Sequence, residues 1–237
     1  MNYAQHESFF SVPRMNKYRQ SIPITYADRD NKAVEIYAAN IILSKSLHPL
    51  ISILEVALRN GINDNLCSYF GSNNWLREGK TGFMIDPRMV RRDYHTRTNV
   101  SDNFFRDKVQ EVENRLFSQN ITVTHNKILS ELSFGFWTKF FEEKPIAILR
   151  GKQLMAFRSG TRLSATEVHH IFDEIRLFRN RISHHEPICF NSTNQYCLKN
   201  VNSTYFKIKE CLRWLGNDVR DWAEKFDTFQ AEIKPFL

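Results

Sequence analysis

Apolar residues recur along most of this chain at three- and four-residue intervals, the period of an amphipathic helix that buries one face. The clearest run is Leu47, Leu50, Leu54, Leu58, Ile62 and Leu66. Residues 31–70 accordingly read as two helices or one bent helix, with a break expected at His48-Pro49, since proline lacks the backbone donor a helix interior needs. Gly71 is a good C-terminal stop. A second helical pattern starts at Asp102, with Phe105, Val109, Val112 and Leu116 on one face and Ser101 or Asp102 as its cap. A third covers 124–141, around the aromatic-rich phrase LSELSFGFWTKFF. Residues 146–162 fit a short helix flanked by loops. From Ser164 or Thr166 a strong helix runs through Val168, Ile171, Phe172, Ile175, Phe178 and Ile182 and ends before Pro187, because proline disfavours helical geometry in the residue preceding it. A final helix covers about 203–226.

The pattern predicts an all-α fold, one domain over 1–237 with six or seven helices. The stretch 79–98 lacks a period and carries Arg88, Arg91, Arg92 and Arg97 among two glycines and a proline, so a loop-rich insertion is expected near 72–100. Composition agrees: 8 Gly and 7 Pro in 237 residues are too few for an all-β sandwich or barrel, which needs frequent turns. With 42% hydrophobic and 25% charged residues, disorder and fibrous architecture are poor readings. Cys67, Cys189, Cys197 and Cys211 form no CxxC pair and match no zinc-ligand spacing, so no metal is expected. His6, Glu7, Arg14 and Lys17 interrupt the apolar residues of the first twenty positions, which therefore hold neither a signal-peptide core nor a membrane span. The expected setting is cytoplasmic. Lys and Arg number 33 against 26 Asp and Glu, and the resulting charge of +7 permits an anionic partner without requiring one.

The stretch that carries chemistry is IRLFRNRISHHEPI, residues 175–188. It delivers Arg179, Asn180, Arg181, His184, His185 and Glu186 to the C-terminal end of an amphipathic helix. Asn180 and His184, four apart, share a face. Arg179 and His184, five apart, lie about 140° around an ideal helix from one another, so they converge only if the last turn opens or if the two come from different chains. These residue types suit phosphodiester chemistry on RNA. Imidazole moves protons near neutral pH, and Arg presents a fork of donors to phosphate oxygens where negative charge grows. Asn can orient either group. No cofactor is required.

This segment resembles the Arg-x4-6-His motif of the HEPN superfamily (higher eukaryotes and prokaryotes nucleotide-binding), and RNRISHHEPI is similar to its abortive-infection, Abi-like branch. SVPRMNKYRQ near the start, LEVALRNGINDNLCSYFG at 54–71, LSELSFGFWTKFF and RGKQL at 150–154 extend the resemblance over nearly the whole chain. The resemblance implies a HEPN-like helical bundle, usually a homodimer, that cleaves RNA without metal in phage defence or as a toxin. It places the catalytic set on Arg179, Asn180 and His184, two copies meeting across the dimer interface. An antitoxin protein or small RNA is a further possible partner; no membrane partner is implied.

Other residues leave alternatives open. His185 and Glu186 are either a solvated helix terminus or, for His185, a group that orients His184 or contacts RNA. Glu55 and Arg59 form an i,i+4 surface pair or sit behind the catalytic helix and position it. Arg91 and Arg92, with Tyr94 and His95, are a solvated charge run or an RNA-tracking loop on whose aromatic a base stacks; Arg181 is a further candidate for RNA contact. Phe134, Phe136, Trp137, Phe140 and Phe141 read as core or dimer interface. His169 and His170 read as surface or packing residues. The competing function is a non-catalytic HEPN module that binds RNA or protein.

Overall fold

In the computed structural model, which describes residues 1–236, the protein is 69% helix and 3% strand. Helices α1 (Tyr3–Phe10) and α2 (Val12–Gln20) precede a 42-residue helix, α3 (Arg29–Phe70), and the short α4 (Trp75–Glu78). A hairpin of β1 (Val90–Arg92) and β2 (Asn99–Ser101) follows. Then come α5 (Phe104–Ser118), α6 (His125–Glu131), α7 (Phe134–Thr138), α8 (Glu143–Ile148), α9 (Ala165–Ser183), α10 (Lys199–Leu215), α11 (Asn217–Glu224) and α12 (Phe229–Ile233).

The all-α expectation holds, but twelve α-helices among the described residues replace six or seven. The difference lies in local breaks. The aromatic-rich segment expected as one helix is α6, α7 and a 3-10 turn, because Leu132 is extended at ψ 134° between the first two. The last expected helix is divided by Gly216, whose φ of +139° lies in a region that only glycine enters freely. The break expected at Pro49 is not there: α3 continues through it. Leu47, Leu50, Leu54, Leu58, Ile62 and Leu66 are all 0% exposed, and burial of that whole stripe outweighs the roughly 3 kcal/mol an interior proline costs a helix. This helix is long and apolar enough to cross a membrane by length and composition, as a core helix also is.

The chain divides into two compact units, and α3, α9, α10 and α11 have residues in both. The first comprises Met1–Ile53, Leu177–Leu212 and Arg220–Leu237. Its core joins Met15, Tyr18 and Ile22 to Ala33, Ile36 and Phe190, with the Tyr18 ring 5.3 Å from that of Phe190. The second comprises Leu54–Arg176 and Arg213–Val219 and has an aromatic interior. Phe105 and Phe140 approach to 4.5 Å between centroids, and Phe157 lies nearly parallel to Phe172 at 6.0 Å. Phe134, Phe136, Trp137, Phe140 and Phe141 are at most 1% exposed, so this aromatic face is core.

Candidate functional site at the end of α9

Helix α9 begins in a capping box: the Ser164 amide donates to Glu167 Oε2 at 2.8 Å, and the Glu167 amide donates to Ser164 Oγ at 3.3 Å. Val168, Phe172, Ile175, Phe178 and Ile182 are its buried residues. At the other end the helix stops abruptly. His184 keeps the helical bond from its amide to the Asn180 carbonyl at 2.9 Å. His185 then takes a left-handed conformation, φ +55°, its amide donating to the Ile182 carbonyl at 3.1 Å while the Glu186 amide donates to that of Arg181 at 2.8 Å. These two reversed bonds are a Schellman terminator, which satisfies carbonyls the helix would otherwise leave open. His185 therefore occupies the position that glycine usually fills, and its identifiable structural task is to end the helix.

Two distant residues frame this end. Arg14 Nη1 on α2 donates to the His185 carbonyl at 2.6 Å, and Asn40 Oδ1 on α3 accepts the Ile188 amide at 2.7 Å inside the core. Beyond Ile188 the chain reverses: the Cys197 amide donates to the Cys189 carbonyl at 2.8 Å, and Phe190 pairs antiparallel with Tyr196. Sequence reasoning missed Arg14 and Asn40. Asn40 did leave a signal, since an amide inside the apolar stretch AANIIL needs a hydrogen-bond partner if it is buried.

The side chains of the motif are graded in exposure. Arg179 and Asn180 are half-buried, whereas Arg181, His184, His185 and Glu186 are exposed. Asn180 and His184 share a face, and the imidazole is open to a ligand from solvent. Because the last turn stays closed at His184, Arg179 and His184 of one chain remain about 140° apart around the helix. One chain thus presents an Asn–His face and an Arg face, not all three groups on one.

The remaining candidates lie in the second unit. Arg59 makes no ion pair among the described residues, so the i,i+4 pair with Glu55 is not formed, and its Nε is buried without a hydrogen-bond partner. Arg91 and Arg92 stand on β1 opposite Val100 and Asn99, so their side chains leave opposite faces of the ribbon. At the hairpin tip, the Asp93 carboxylate accepts the Thr96 amide at 2.8 Å, the Thr96 hydroxyl at 3.0 Å and the His95 amide at 3.0 Å. Those bonds hold its carboxyl below the ordinary carboxylate range. Asp86 grips Arg88 through two bonds of 2.7 and 2.8 Å, which push the Asp86 carboxyl down to about 2. Both acids being engaged this way, Arg91, Arg92 and Arg97 make no ion pair among the described residues, and Tyr94 is 88% exposed. His170 is exposed and His169 half-buried. No cluster of three or more His, Cys, Asp or Glu among the described residues could hold a metal ion.

Compared with known proteins, the chain matches no protein family, no curated protein and no solved structure.

Proposed function

We propose that this protein is a metal-independent endoribonuclease, an Abi-like member of the HEPN superfamily that acts in the cytoplasm as an abortive-infection or toxin effector. The observation that carries the reading is the end of α9, where an exposed imidazole at a rigidly terminated helix shares a face with Asn180 and follows Arg179 by five residues. In the proposed reaction a ribose 2′-oxygen attacks the adjacent phosphorus and the bond to the 5′-oxygen breaks, leaving a 2′,3′-cyclic phosphate and a free 5′-hydroxyl. One His184 takes the 2′-proton and a second gives a proton to the leaving oxygen, while Arg179 and Asn180 meet the phosphate oxygens. Two chains supply the two histidines. A homodimer also brings an Arg179 face to an Asn180–His184 face, which a single helix with a closed last turn does not do. The unpaired arginines of the β1–β2 hairpin and the exposed Tyr94 ring suit the RNA backbone and its bases, with Arg181 beside the motif as a further phosphate contact.

The same 140° separation favours a second reading if the protein is a monomer: a non-catalytic module that binds RNA or protein. Incubation of purified protein with RNA in EDTA, alongside its mass in solution, separates the two. Cleavage products with cyclic phosphate ends are expected. Loss of activity in EDTA, or undiminished activity after His184→Ala, rejects the metal-independent mechanism at His184, and RNA left intact by the wild-type protein favours the non-catalytic module.

A further inference from the structure

A cleft of about 790 Å³ opens within the first unit, between α2 and the turn at 191–195. Asn16, Lys17 and Gln20 line it from the helix, and Thr193, Asn194 and Gln195 from the turn. Three observations characterise what fits there. The lining contains one cation and no carboxylate, so its field favours an anion. Four of the lining residues are primary amides, each offering a donor pair and an acceptor, the complement that nucleobase edges require. The turn is held in place: Asn191 Oδ1 accepts the amides of Thr193 and Gln195 at 3.0 and 2.9 Å, and Asn194 sits at φ +59°. Its amide side chains therefore project from a fixed backbone.

The cleft shares helix α2 with the residue that holds the end of α9. Arg14, which holds the His185 carbonyl, precedes Lys17 by one helical turn on α2, a separation of about 5–6 Å between Cβ atoms.

We infer that this cleft is a nucleotide subsite: it takes a base flanking the scissile bond of single-stranded RNA, Lys17 holding that nucleotide's phosphate and Gln20, Asn194 and Gln195 selecting the base. This rests on the endoribonuclease reading for the position of the scissile bond, but not for binding itself. The discriminating experiment uses full-length protein carrying His184→Ala, which leaves RNA intact, and four fluorescent single-stranded RNAs of uniform base. One base is expected to bind about tenfold tighter than the weakest. Adding Lys17→Ala should weaken all four alike and lower the salt dependence, whereas adding Gln20→Ala or Asn194→Ala should erase the preference among them. Unchanged affinities and unchanged preference in all three variants would overturn the subsite. Cleavage by the wild-type protein is scored separately, so inert RNA would reject the nuclease reading while the binding data still decide the cleft.

Discussion

Arg14 and His185 stand 171 residues apart in the chain, yet the guanidinium of the first donates to the carbonyl of the second at 2.6 Å. The contact fixes the one residue that reverses the chain at the end of α9. Replacing Arg14 by Ala removes a charge-assisted bond in a half-exposed setting, so a stability loss of about 1 kcal/mol is expected. Cleavage should fall by more than that loss explains, since the register of His184 follows from the terminator. Urea unfolding and single-turnover cleavage of the same variant check this, and a rate equal to wild type would show that the frame does not position the histidine.

The proposed function gives the neighbours His184 and His185 different tasks, and substitution should separate them. His185→Gly relieves a left-handed backbone that L side chains enter at a cost of about 1 kcal/mol, so stability should hold or rise. Activity should persist. His184→Ala should leave stability nearly unchanged and lower cleavage by about a hundredfold or more, the usual scale of a lost proton-transfer group. If His185→Gly proves as inactive as His184→Ala, His185 acts on the substrate.

Asn40 accepts the Ile188 amide in the core and is itself 4% exposed. Asn40→Ala leaves that buried amide without a partner and should cost about 1–3 kcal/mol in denaturant unfolding. A change below half a kcal/mol would mean that the segment after the motif re-pairs elsewhere.

His125 is a pH-sensitive element of the second unit. Its Nε2 lies 2.7 Å from Asn63 Oδ1, an acceptor that also takes the Trp75 indole N–H at 3.0 Å, so Nε2 carries the proton. Nδ1 is buried with no partner. Burial lowers the His125 pKa below 6.5, with the Glu78 carboxylate opposing. Since the unfolded chain then binds the proton more readily, His125 contributes stability that is complete above about pH 6.5 and lost as pH falls through and below that value. Unfolding free energies at pH 7.5 and 5.5 should diverge more in wild type than in His125→Gln; equal divergence would assign the loss to other groups.

Gly216 separates α10 from α11 at φ +139°, and a Cβ there would meet only Arg158, at 3.8 Å. Space is adequate; the backbone is not. Gly216→Ala should therefore destabilise by about 1–3 kcal/mol, visible as a lower urea midpoint.

How far the chain was legible depended on the range over which each signal acts. The stripe from Leu47 to Leu66 and the Phe105 to Leu116 face were readable because burial repeats with the helical period, and every one of those residues is buried. Helices α4, α7 and α12, of four or five residues, are shorter than the window in which a period can be recognised. Pro49 misled for the opposite reason: a local rule was overridden by packing on both sides of it. At the candidate site, Arg179, Asn180 and His184 were visible as neighbours in sequence. Their frame was not, because contacts spanning 148 and 171 residues leave no local trace.

That frame has a consequence for the order of assembly. Arg14 and Asn40 are made before their partners, which emerge from synthesis 171 and 148 residues later. Closing loops of that length carries a large entropic cost, which is met only after the intervening helices have packed. A nascent chain can spell the whole motif and still lack its geometry, so the shape of the end of α9 belongs to the folded first unit and not to the motif's own sequence.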